Sequence, residues 1–70
     1  MLAKVIKHFA LDMSTPVEEL LSRELIEQIG CFRVCVYELG HAKNIGLECD
    51  MSAIRGRLCE LENRAVECCS

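Results

Sequence analysis

The sequence predicts a mainly α, small single domain spanning residues 1–70, a bundle of roughly three to five helices of ordinary length. Three observations carry that expectation. Between Asp50 and Val66, Met51, Ile54, Leu58 and Leu61, continued by Ala65 and Cys68, recur at alternating three- and four-residue steps, which places them on one side of a helix. Thr15, Pro16 and Glu18 form a T-x-x-E capping box with proline at the first helical position, a local signal for a helix start. Half of the residues are apolar and 27% are charged, a globular composition whose core must be aliphatic and cysteine-rich, because the aromatic side chains are only Phe9, Phe32 and Tyr37.

In chain order, Leu2, Val5, Ile6, Phe9 and Met13 follow an i, i+3, i+4 pattern and predict a first helix. A second is expected from the Thr15 cap through Val17, Leu20, Leu21, Leu25, Ile26 and Ile29, stopping at Gly30, where a left-handed C-cap is free of steric cost. Its acidic side, with Glu18, Glu19, Glu24 and Glu27 beside Arg23, reads as a solvated face. Cys31 to Leu39 fits two periods: Phe32, Val34 and Val36 alternate as in a strand, whereas Phe32, Cys35, Val36 and Leu39 fit a helix. Helix is the reading adopted; the alternative is an α+β domain with two short strands, at Lys4–Leu11 and at Cys31–Leu39. Gly40 to Glu48, with Asn44 and Gly46, reads as a turn or short helix around His41, Ala42 and Ile45. It leads into the Asp50 helix, capped by Asp50 or Ser52 and supported by the Glu60 to Arg64 pair.

The six cysteines are Cys31, Cys35, Cys49, Cys59, Cys68 and Cys69. The N-terminal MLAKVIKHFAL is interrupted by Lys4, Lys7 and His8 and carries neither the h-region of a signal peptide nor a membrane span, so the expected compartment is reducing and cytoplasmic, with no membrane partner. Cysteine is then expected as a small buried hydrophobe, with disulfides and metal as the lesser alternatives. Cys31, Cys35, His41 and Cys49 contain zinc-ligand atoms without the paired C-x-x-C or H-x-x-x-H spacing, so no metal and no cofactor are expected. No phosphate loop, H-E-x-x-H or nucleophile motif is present, and neither His8 nor His41 has a relay around it; catalysis is not expected.

The run from Ile54 to Val66, IRGRLCELENRAV, resembles the recognition helix of winged-helix and related helix-turn-helix regulators, in which an apolar residue and arginines precede L-x-x-L-E-x-R-G-hydrophobic. With Ala42, Ile45, Gly46 and Leu47 as the preceding helix end and turn, the likeness covers roughly Leu39 to Val66. It departs in a longer turn between Gly46 and Ile54, in Ala65 where glycine is usual, and in a chain that ends before a wing. A second register, Leu25 to Leu39 around Gly30, also resembles the motif but offers only Arg33 as a cation. What the first likeness implies is a small DNA-binding transcriptional regulator, with Arg55 and Arg57 near bases or phosphates, Ser52 on a phosphate and Arg64 on the backbone. The net charge of -3 does not favour nucleic acid. The alternative is a small non-enzymatic module that binds or inhibits a partner protein through an amphipathic helix. In either case a chain this short is expected to supplement its core by forming a homodimer, through Leu58, Leu61 and Ala65 or through apolar residues near the N-terminus. Gly56, inside the last helix, is expected to mark a close approach.

Overall fold

The computed structural model describes residues 2–41 and 48–69; the expected turn at Ala42 to Leu47 lies outside them. Three helices are present among the described residues, α1 (Leu2–Phe9), α2 (Ser22–His41) and α3 (Glu48–Cys69), with a single 3-10 turn at Val17–Glu19 and no strand. The mainly helical expectation therefore holds, and Cys31 to Leu39 is helix. Late α2 residues Leu39 and Gly40 lie beside Met51, Ser52 and Arg55 of early α3. Arg33 of mid-α2 meets Glu62 of late α3. The two long helices thus run antiparallel, and the molecule measures 40 × 18 × 16 Å.

The core lies along that helix pair. From α2 it takes Leu25, Ile29, Phe32 and Cys35, spaced by one and two turns on a single side; from α3 it takes Ile54 and Leu61; and Leu11 closes one end. Leu58 and Ala65 are half-buried against this cluster, so the predicted stripe of the last helix is largely consumed inside the chain. Val5, Ile6 and Phe9 of α1 pack on the same cluster.

The start of α2 and the expected stop at Gly30 differ from expectation, each for a physical reason. The Thr15 box does not start α2. The Asp12 carboxylate accepts the amide hydrogens of Ser14 at 2.9 Å and Thr15 at 3.1 Å, and Pro16 is extended with ψ 136°. The 3-10 turn that follows ends at extended Leu20. Helix α2 begins one step later, where Glu24 accepts the Leu21 amide hydrogen at 2.9 Å, one half of a capping box. Gly30 does not end α2, because the core side from Leu25 to Cys35 continues across it. A helix uninterrupted at Gly30 also removes the turn that the second helix-turn-helix register required.

At the end of α1, Leu11 N–H donates to the Ile6 carbonyl at 2.8 Å and Ala10 N–H to the Lys7 carbonyl at 3.3 Å. This is a Schellman cap whose left-handed position, normally glycine, holds Ala10 at φ 55°. Leu11 is delivered into the core by that turn. Relieving the Cβ penalty should stabilise the fold, so Ala10→Gly is expected to raise the free energy of unfolding by about 1 kcal/mol in a urea titration. A decrease would show that the cap is dispensable and that glycine acts only by loosening the unfolded chain.

Candidate interaction surface

The four cationic and polar residues expected to touch nucleic acid do not share one face. Arg55 and Arg64 are nine residues apart on α3, which turns them to about opposite sides of a 3.6-residue helix. Ser52 and Arg55 are exposed, one turn apart, and border a shallow hollow with Leu39, Gly40 and Met51. Arg64 is half-buried on the other side, 3.4 Å from Glu67, beside Val17, Glu18, Glu60 and Asn63.

Arg57 is placed inside the fold, with 7% of its surface exposed. Its Nε donates to the Asp12 carbonyl at 3.2 Å and a terminal nitrogen donates to the Thr15 carbonyl, while Glu60 lies 3.8 Å away. The guanidinium fork thereby takes up two carbonyl groups of the 10–16 segment, a use of arginine that a point-charge lysine does not reproduce. The same segment is tied to α2, because the Asp12 amide hydrogen reaches the Gln28 side-chain oxygen at 3.3 Å. The Thr15 hydroxyl, followed by the Ser14 and Thr15 amides, holds the Asp12 carboxyl well below the usual carboxylate range. Within the single chain Arg57 is thus a strut between α3 and the loop. Among the described residues, none outside its own helix turn comes within 4 Å of a Cβ built at Gly56, so they do not make the approach expected there.

A different surface stands out on α2. Ile26 is 70% exposed, Val34 52% and Tyr37 66%, and they lie on the side of α2 facing away from the core. Gly30 sits between Ile26 and Val34, one turn from each. Phe9 and His8 at the end of α1 flank the row, and together with Ile26, Glu27, Gly30, Cys31 and Val34 they border an open groove. The Tyr37 ring stacks at a tilt on His41, with centroids 4.4 Å apart, which extends the row by a turn. Leu21 and Val66 are exposed as well but lie off this row.

Sequence reading placed Ile26 in the core stripe with Leu25 and Ile29 and did not single out this row. Its signal was present: with the helix continued through Gly30, Ile26, Val34 and Tyr37 fall within about 80° of one another, on a side turned away from Leu25 and Phe32. α2 is apolar on two sides.

The thiols of Cys31, Cys35, Cys59 and Cys68 are free. Cys35 is fully buried and burial pushes its thiol pKa up, the behaviour of a packing residue. Among the described residues no group of three or more His, Cys, Asp or Glu side chains is placed to hold a metal ion, and no helix is long and apolar enough to cross a membrane. In comparisons with known proteins, no family model, curated protein or solved structure matches the chain.

Proposed function

We propose that this chain is a small, non-enzymatic protein-interaction module whose contact surface is the outer face of α2. The observation that carries this reading is the row of Ile26, Val34 and Tyr37, three large apolar side chains more than half exposed on one helix face and flanked by Phe9. Exposed apolar residues scattered singly mean little, whereas a contiguous row is the usual mark of a surface that another chain covers. A helical partner laid along α2 would seat its own apolar row in the groove between α1 and α2. The stripe of Leu58, Leu61 and Ala65 expected to pair two copies is engaged within the single chain, where Leu61 is buried and Leu58 and Ala65 are half-buried.

A DNA-contacting regulator is the second reading, favoured by Ser52 and Arg55 standing exposed side by side on the first half of α3. With Arg57 enclosed and Arg64 on the opposite side, that reading rests on one cation of the three. A photoreactive residue separates the two readings. Installed at Val34 in cells that express the chain, it should give polypeptide adducts that Ile26→Asp abolishes. Installed at Ser52, it should give no nucleic-acid adduct. Nucleic-acid adducts from Ser52 together with none from Val34 would reverse the choice.

A further inference from the structure

We propose that the occupant of the α2 outer face is a second copy of this chain, laid antiparallel across Gly30. This rests on the reading of that face as the contact surface and specifies its partner. Gly30 is the starting point. It lies in the interior of a continuous helix, where glycine is the least favourable residue after proline, and a Cβ built on it meets nothing within 4 Å. The described residues of the single chain therefore give no reason for glycine there. Gly56 is equally open, but its neighbours one turn away are Ser52 and Glu60, which form no apolar ridge. Gly30 has Ile26 on one side and Val34 on the other, both exposed, so the surface is a ridge with a notch at its middle. At such a notch two backbones can approach closely when the copies are related by a two-fold rotation. Gly30 then meets Gly30 of the copy, the two helix axes approach closely, and each Ile26 packs beside the copy's Val34.

Charge selects the direction. Arg23 lies seven residues before Gly30, and Tyr37 lies seven after it with Glu38 next in line; Arg23, Tyr37 and Glu38 are all exposed. In the antiparallel arrangement Arg23 of each copy comes level with the other copy's Tyr37 ring and Glu38 carboxylate, a cation over an aromatic face beside an opposite charge. A parallel arrangement would set Arg23 against Arg23 and Glu38 against Glu38. The carboxylates of Glu27 and Glu38 along the row also make it a poor surface for phosphate.

Sedimentation equilibrium of the full chain in reductant, over the micromolar range, tests the proposal, with circular dichroism confirming that each variant remains helical. The wild-type chain should pass from monomer to dimer. Gly30→Leu, which meets open space in the single chain, should weaken the dimer by about tenfold or more. Arg23→Glu should also weaken it, and Arg23→Glu combined with Glu38→Arg should restore it. A wild-type monomer at every concentration would overturn self-pairing, and a dimer indifferent to Gly30→Leu would overturn the crossing at Gly30. A charge exchange that fails to restore association would overturn the antiparallel arrangement. A monomeric chain that still gives adducts to other polypeptides from Val34 would overturn the second copy alone, and the contact surface would stand.

Discussion

Phe32→Ala is expected to remove a large share of the fold's stability. Phe32 is fully buried at the middle of α2, the largest side chain of the core, and meets a cluster that includes Ile54 and Leu61 of α3. Truncating a buried phenylalanine costs about 3–5 kcal/mol, the sum of lost transfer energy and the cavity left behind. A domain of this size has a total stability of roughly 4–10 kcal/mol. The loss is therefore about a third or more of what holds the chain together, and the urea midpoint should fall accordingly, or the transition should vanish. Val34→Ala, two residues away on the outer face, should shift it by less than about 0.5 kcal/mol in the dilute protein. Similar losses at both positions would mean that α2 buries its two faces alike, contrary to the fold described here.

Arg57→Ala should be the most damaging change among the charged residues, at about 2–3 kcal/mol. It removes a buried cation that donates to the Asp12 and Thr15 carbonyls, leaving those acceptors without their donor in a partly buried loop. Arg57→Lys should recover only part of the loss, because an ammonium cannot present two nitrogens to two carbonyls in one plane. Arg55→Ala, at an exposed position, should cost less than about 0.5 kcal/mol. The ion pairs elsewhere give the scale. Arg33 and Glu62 approach to 2.6 Å, yet both are substantially exposed, and such a pair contributes at most about 1 kcal/mol. Equal, small effects of Arg55→Ala and Arg57→Ala on chemical unfolding would return Arg57 to the surface role expected from the sequence.

How far the fold was legible follows from which interactions are local. The stripe of the last helix was readable because 3.6-residue periodicity is a property of the segment alone, and Ile54 and Leu61 are indeed its buried members. The start of α2 was misplaced because the Thr15 signal was genuine but outcompeted: Asp12 takes the amide and Arg57 takes the carbonyl of the same residue. Gly30 looked like a stop because glycine tolerates a left-handed cap. Packing of Leu25, Ile29, Phe32 and Cys35 on one side outweighs a helix penalty of about 1 kcal/mol.

The candidate site was less legible than the fold. Arginines on an amphipathic helix read as an outward charged face, and the carbonyls that draw Arg57 inward lie 42 and 45 residues away in the chain. No local pattern encodes that distance. Ile26, Val34 and Tyr37 were hidden by the misplaced boundary, since a helix ending at Gly30 splits them between two elements. Once α2 is continuous, the row follows from geometry.

Hydroxyl-radical footprinting tests most directly the claim that the outer face of α2 is the contact surface, comparing the chain inside cells with the dilute purified protein. Tyr37 and Phe9 report on the α2 face, and Met51 reports on the Ser52 and Arg55 side of α3. The expected result is lower oxidation of Tyr37 and Phe9 in cells, reversed by Ile26→Asp, with Met51 unchanged. Protection of Met51 alone, with Tyr37 oxidised equally in both settings, would contradict it and move the contact surface to the first half of α3.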